Sequence, residues 1–572
     1  MPTYPSDLPL PTSTATFQLG DALPDTTYPT LLQLIDAYKA HSRGRGYGVI
    51  IGSSSKGKRT ILICDRGGKP RQRKQQDLHI SKRRQSTTRA CNCPFKIEAR
   101  QIKDIWQGRI LYQWHNHPAT TETTSHPNHR RGALSIEGRA FVQGLLARHT
   151  AIATVLDLVA NQFNVQLVAR DIYNIKTAQR NMDIAGTTST QWLVDTLQQK
   201  GYFFRYSTAI DNTNRTTSLF FAHPESIQFL AQAPEVILLD CTYKTNRFKM
   251  PLLNICAVLG NNMTIQVALA FLSSEKEKDY TWALNCLLQL LAQYQIPHPQ
   301  AFVTDRELAL INSIDSLFPF SRHILCRWHV NMNVVAKCKK HFSKEAWNDF
   351  YTAWTLVVNS ITLQQYQESL LAFEKLHPTA VRYCKKTWLV WKEKLVLFWV
   401  HQTAHFDNTV TSRNEASHAA IKRYIGNSRS DFKSFFEKID YFWKDQHSKI
   451  RAAIDIEKVR LNNQFRTVFW GEVINFIYPF ALQKVNIERG KIPSNGLPLN
   501  SPLTDCNCWI SIAWGLPCFH RIYQIQQNPG MLLISDIHPH WHFNRGSVPI
   551  PIAQRQLLDP LPVLRGKGRP KG

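Results

Sequence analysis

Two short apolar runs, each followed closely by an aspartate, constrain this chain more than any other feature. Val236 to Leu239 is closed by Asp240, and Ala301-Phe302-Val303 leads through Thr304 to Asp305. A brief continuous apolar run with a polar residue at its carboxyl end is the pattern of a strand buried on both faces. Met250 to Val258 and Thr264 to Leu272 read as two further strands, parted by the turn signal Gly260-Asn261-Asn262. Tyr280 to Tyr294 is apolar at helical spacing. Strand, hairpin, helix and strand in that order make a mixed sheet covered by helices. Sites in such sheets form outside the carboxyl ends of strands, where Asp240 and Asp305 fall. Two carboxylates brought together without a base repel, and a hard cation relieves the repulsion. Mg²⁺ or Mn²⁺ takes oxygen ligands from such acids and leaves other positions to water and substrate phosphate. Taken alone, either aspartate also reads as a helix N-cap or turn residue.

At 572 residues the chain is too long for one core, and roughly three to five domains are expected. Its charge is unusual: Lys+Arg 69 against Asp+Glu 42 gives +27, which points to a polyanionic partner. The competing polyanion is a membrane surface. No run of eighteen apolar residues occurs, and MPTYPSDLPL lacks the basic and apolar regions of a signal peptide. The expectation is a nuclear protein that binds double-stranded DNA and no membrane, with cysteines serving as thiols or metal ligands.

Residues 1–29, rich in Pro, Thr and Ser, read as a disordered lead-in. In residues 30–120, a short helix and strand pairs carry Cys64, Cys93, His115 and His117 at strand ends, a set that suits tetrahedral Zn²⁺. Cys91 is a rival for Cys93, and the loop between Cys64 and Cys93 is very basic. Residues 130–185 read as three helices with helix-turn-helix spacing, so that Arg170, Lys176 and Arg180 could face DNA. A small helical linker reads the same way. Phe432, Phe435, Phe436 and Phe442 form an aromatic stripe expected in a core rather than as a stacking platform. Cys506, Cys508, Cys518 and His520 offer four ligands that would close a second, structural Zn²⁺ site. In the basic end RGKGRPKG, Lys567 and Arg569 lie in or beside Gly568-Arg569-Pro570, which resembles an AT-hook core; any basic tail also binds phosphate.

LLDCTYKTNRF, FVTDRELAL, CRWHV and TSRNEASHAAIKRY, in this order, resemble the catalytic signature of Mutator-like element transposases. The resemblance implies a multidomain α/β protein with a ribonuclease H-like DDE core over residues 190–450 and a helical insertion at about 335–405. Small zinc-binding and helical DNA-binding modules would flank that core. It implies Asp240, Asp305 and Glu415 as the catalytic, metal-holding acids, and Cys326 and His329 as the family's Cys-x-x-His pair, binding zinc or supporting the fold. Residues 30–120 are similar to the WRKY-related finger of the far-red impaired response type, whose Pro-Phe wording favours Cys93. Residues 496–530 resemble a SWIM finger, after a helical linker at 451–495 and before a tail at 531–572. The implied activity is binding of terminal inverted repeats, cleavage and joining to target DNA, by a homodimer or higher oligomer. The alternative is a domesticated transcription regulator that binds without cutting.

Overall fold

The computed structural model describes residues 16–19, 23, 27–55, 59–69, 89–120, 126–148, 150–209, 214–410, 412–460, 462–494, 506, 508–527 and 530–545. The chain divides into two compact units, residues 1–185 and 186–572.

The first unit holds an antiparallel sheet of β1 (Thr27–Tyr28), β2 (Val49–Ser55), β3 (Arg59–Cys64), β4 (Lys96–Ile102) and β5 (Ile105–Tyr112), in the order β1-β5-β4-β3-β2. Helix α1 (Leu31–Arg43) starts at Thr30, whose hydroxyl accepts the Gln33 amide at 3.2 Å. It packs Leu34, Ile35 and Tyr38 with Leu62, Ile97 and Trp106 of the sheet. Part of the segment expected to be disordered is structured here. Thr27–Tyr28 pairs with β5, and Phe17 exchanges two backbone hydrogen bonds with His115. A two-residue strand is too short to leave a period-2 signal, which is why composition alone suggested otherwise.

Four helices follow: α2 (Pro127–Ala133), α3 (Ile136–Ala147), α4 (Ile152–Phe163) and α5 (Ala169–Ile184). Val142, Val155, Val159, Leu167 and Ile172 make their core. Asn164, in the left-handed conformation at φ 51°, ends α4. Asp171 is 1% exposed and pairs with Arg130 at 2.7 Å while capping the Val168 amide.

The second unit is built on a seven-stranded sheet of β6 (Phe203–Thr208), β7 (Thr216–Ala222), β8 (Val236–Thr242), β9 (Leu252–Val258), β10 (Thr264–Phe271), β11 (Ala301–Thr304) and β12 (Arg322–Leu325). Its order is β12-β11-β8-β9-β10-β7-β6; β12, β11 and β8 run parallel, and the remaining pairings are antiparallel. Its helices are α6 (Ser189–Gln199), α7 (Pro224–Gln232), α8 (Glu277–Gln293), α9 (Leu308–Leu317), α10 (Arg327–Cys338), α11 (Lys344–Asn359), α12 (Leu363–Glu374), α13 (Pro378–Thr387), α14 (Lys392–Leu395), α15 (Leu397–Val400), α16 (Ser412–Ile425), α17 (Phe432–Val459), α18 (Pro479–Arg489), α19 (Trp509–Ala513) and α20 (Phe519–Gln527).

Strand alternation distributes β8 between two cores. Ile237 and Leu239 join the cluster of Leu284, Leu287 and Ile314 from α8 and α9. Val236 and Leu238 join Trp470, Val485, Trp514, Ile522 and Trp541 on the opposite side. The described residues between Phe465 and Trp541 therefore cover the rear of the sheet. The four phenylalanines of α17 are buried against Phe221, Leu269 and Phe271, while α10 to α13 build a separate helical core around Trp354, Phe350 and Phe373. Among the described residues no helix is long and apolar enough to cross a membrane.

Phe436 is 1% exposed and touches Trp192, Tyr202 and Phe221 by ring contact. Phe436→Ala is expected to lower unfolding stability by about 3–5 kcal/mol. Urea titration with an unchanged m value checks this, since a changed m would mean an altered native or denatured ensemble.

Candidate functional site

β8 runs on to Thr242, so Asp240 lies inside the strand rather than at its end. Its neighbour on one side is Asn254 of β9. On the other side the parallel pairing with β11 keeps a constant offset of 65 residues, which brings Asp305 level with Asp240 just past the end of β11. Adjacent strands stand about 4.8 Å apart, so the register itself sets the two acids side by side.

Glu415 comes from the first turn of α16, 110 residues beyond Asp305 in the chain. Polar contacts from Arg413 and Ser417 seat that helix. Arg413 donates to the Asn262 carbonyl at 2.8 Å. Behind the strands, Gln266 donates to Asn254 at 2.7 Å and Asn254 donates to Ser417 at 3.0 Å, all in the buried interior. One turn after Glu415, His418 places Nδ1 3.7 Å from Asp240 Oδ2. His329, in the first turn of α10, places Nε2 3.2 Å from Glu415 Oε1. Cys326 is buried and N-caps the same helix, hydrogen-bonded to His329. The structure thus brings Asp240, Asp305, Glu415, Cys326 and His329 to one place, and adds His418.

The electrostatics follow from who faces whom. Burial, then the charge of Asp305, pushes Asp240 up to about 7; Glu415 adds to the rise and His329 opposes it. Burial also raises Asp305, which faces Glu307 and Glu275 as well as His329. His329 is raised to about 9, first by its hydrogen bond with Cys326 and then by Cys326, Asp240 and Asp305 against its own desolvation. His418 falls to about 4, chiefly because it is buried. The opposite end of β8 gives the contrast. Glu235 is just as buried, but contacts with His540 at 3.1 Å and with Arg545 overcome the desolvation and hold it at about 2. One buried acid precedes the strand and another lies within it, and the one without enough positive charge around it resists ionisation. The three carboxylates are hard oxygen donors of the kind Mg²⁺ or Mn²⁺ takes, although they are not among the groups whose ligand atoms all lie within 4.8 Å of one another.

In the metal-free protein, Asp240 binds a proton between about pH 4 and pH 7 that the unfolded chain has released. Its contribution therefore falls as pH rises through that window. Asp240→Asn is expected to stabilise the apo protein relative to wild type at pH 8, by on the order of 2–4 kcal/mol, and hardly at all at pH 4. Paired urea titrations at the two pH values check the sign.

Two compact groups fit Zn²⁺. In the first unit Cys64 Sγ is 3.3 Å from His117 Nε2 and Cys93 Sγ is 3.4 Å from His115 Nδ1, with all four side chains buried. The Cys64 thiol, His115 and His117 hydrogen-bond to Cys93 and drive it far below the ordinary thiol range. His117 turns Nδ1 to the Pro118 carbonyl at 3.0 Å, leaving Nε2 for the metal. Cys91 is exposed and bonds Asn116 instead. In the second unit Cys506 lies 2.9 Å from Cys508, 3.6 Å from Cys518 and 3.2 Å from His520 Nδ1. Gly515, at φ 59° and pressed on His538, makes the turn into Cys518. Cys326 belongs to neither group.

Arg170 and Lys176 are exposed on α5 and Arg180 is half-buried. Lys567, Arg569 and most of the basic loop after Cys64 lie outside the described residues. Sequence reasoning missed His418, whose signal was available: Glu415 and His418 are three apart on one helix and so share a face.

Residues 236–333 match the MULE transposase domain. That stretch spans β8 to the middle of α10 and so includes Asp240, Asp305, Cys326 and His329. Among similar proteins, the PKS-NRPS hybrid synthetase cheA of Chaetomium globosum is 24% identical over 96% of this chain but 13% of its own length. Protein FAR1-RELATED SEQUENCE 5 of Arabidopsis thaliana is 21% identical over 70% of this chain and 52% of its own. Protein FAR1-RELATED SEQUENCE 2 of the same plant is 20% identical over 86% and 59%. The chain therefore spans only part of each relative. The likeness to a MULE transposase domain is carried by residues 236–333, and the likeness to the FAR1-related proteins extends beyond that stretch.

Proposed function

We propose that this chain is a DDE-type DNA transposase of the Mutator-like class, which binds terminal inverted repeats, cuts DNA and joins the freed ends to a target. One arrangement carries the proposal: Asp240 in β8 and Asp305 just past the adjacent parallel β11 stand level, with Glu415 brought to them from a distant helix. The sheet order supports a ribonuclease H-like core, because β8, β9 and β10 form an antiparallel meander and β11 and β12 continue in parallel on the other side of β8.

Asp240, Asp305 and Glu415 would hold Mg²⁺ or Mn²⁺, which when bound activates an attacking water or 3′-hydroxyl and stabilises the leaving oxygen. The chain's own residues set the geometry. His329, cationic at neutral pH beside Glu415, fixes that carboxylate and adds positive charge where phosphate must approach. His418, kept neutral by burial, borders Asp240 without adding charge. The net charge of +27 favours the DNA backbone throughout. Arg170, Lys176 and Arg180, the finger around Cys64, Cys93, His115 and His117, and the tail with Lys567 and Arg569 are the proposed DNA contacts. Assembly as a dimer in the nucleus accompanies this function, since two ends are cut together.

The alternative is a DNA-binding regulator that does not cut. Its support is the breadth of the likeness to the FAR1-related proteins, which extends over 70% and 86% of this chain and so well beyond the catalytic stretch.

Cleavage of labelled duplexes that carry the DNA from either side of the coding region, tested for terminal inverted repeats, decides between them. With Mg²⁺ or Mn²⁺, wild type is expected to cut, while Asp240→Asn, Asp305→Asn and Glu415→Gln bind the duplexes equally well and leave them intact. Tight binding by wild type with no metal-dependent cutting would favour the regulator.

A further inference from the structure

Outside the carboxylate site and the two cysteine-containing groups, the second unit gathers one more set of metal-ligating side chains. His223 N-caps α7, its Nδ1 accepting the Glu225 amide at 3.0 Å. His447 reaches the same spot from the middle of α17. Its ring centroid is 4.6 Å from that of His223, and its Nδ1 is 3.3 Å from Glu225 Oε2. One ligand atom from each of His223, Glu225 and His447 lies within 4.8 Å of the other two.

Two features distinguish this cluster from an ordinary buried ion pair. His447 is 0% exposed, yet its Nδ1 has no hydrogen-bond partner although it faces a carboxylate oxygen. Its other nitrogen is committed, with Nε2 2.8 Å from the Ser226 hydroxyl. When Nε2–H donates to Ser226, Nδ1 carries a lone pair 3.3 Å from Glu225 Oε2 with no proton between them, a repulsive arrangement that a cation would reverse. A partner that orients the far nitrogen of a histidine is the usual support of a metal ligand. Phe229, Trp443 and Tyr202 ring the two imidazoles and exclude water from one side.

We propose that His223, Glu225 and His447 form a third zinc site, with two nitrogens and one carboxylate oxygen as protein ligands and a fourth position open to water. Two imidazoles make Mg²⁺ a poor occupant, whereas zinc takes this ligand set readily. An ion here exchanges two existing contacts. His223 gives up the cap hydrogen bond, and Arg451, half-exposed beside Glu225, no longer has to balance that carboxylate alone. In return the ion ties the start of α7 to α17, the helix that buries the outer strands of the sheet. The site does not depend on the proposed DNA chemistry, because its ligands include none of the three catalytic acids.

The test counts zinc on the full-length chain by native mass spectrometry after equilibration in a zinc-buffered solution. Wild type is expected to hold one more ion than each of His223→Gln, Glu225→Gln and His447→Gln. Cobalt substitution identifies that ion: the difference spectrum between wild type and variant should show visible ligand-field bands without thiolate charge transfer. Glu225→Gln, a half-exposed and nearly isosteric change, guards against misfolding, and the thiolate bands of the two cysteine-containing sites report that each variant is folded. An equal zinc count in wild type and folded Glu225→Gln would overturn the proposal. So would an extra ion lost only on Asp240→Asn.

Discussion

The repulsion between Asp240 and Asp305 is the constraint around which the second unit is arranged. Parallel register sets the two acids level, and burial prevents water from screening them. Glu235 and Asp240 lie on or beside the same strand and are both largely withdrawn from solvent, yet they are driven in opposite directions. The difference is the company each keeps: His540 and Arg545 for the first, further carboxylates for the second. An arrangement that raises the cost of its own charge makes sense where a cation completes it.

What surrounds the acids fixes them without neutralising them fully. The amide chain from Gln266 through Asn254 to Ser417 carries α16, and therefore Glu415, onto the sheet. His329 supplies one positive charge, and α10 positions it from the start of the helical insertion. On the rear face, the region around Cys506, Cys508, Cys518 and His520 packs its Trp514 and Ile522 against Val236, Leu238 and Val303. A zinc ion in that group would stiffen the layer that backs β8 and β11.

Much of this was legible in the sequence because it is local. Apolar runs ending in aspartate, a Gly-Asn-Asn turn and Cys/His spacings are short-range signals, and the strands, the hairpin and both zinc groups appear where those signals lie. The mixed character of the central sheet was legible from the strand, hairpin, helix and strand in succession, whereas its full seven-strand order was not. What was not legible is long-range or aperiodic. Thr27–Tyr28 is too short to show a strand period. The packing of Trp514 on Val236 joins residues far apart in the chain, and no pattern in either segment names the other. His447 stands in a helix whose stripe reads as apolar core, and only the fold reveals that it meets His223. His418 was within reach, since its spacing from Glu415 puts both on one face.

The central claim is that the raised carboxyl at Asp240 marks a cation site. Calorimetric titration of the apo protein with Mn²⁺ near pH 6.5, repeated in buffers of different ionisation enthalpy, measures how many protons leave as the metal binds. The account predicts release of a substantial fraction of a proton per ion at pH 6.5, most of it lost in Asp240→Asn. Binding with no proton release at pH 6.5, or release undiminished in Asp240→Asn, would contradict it.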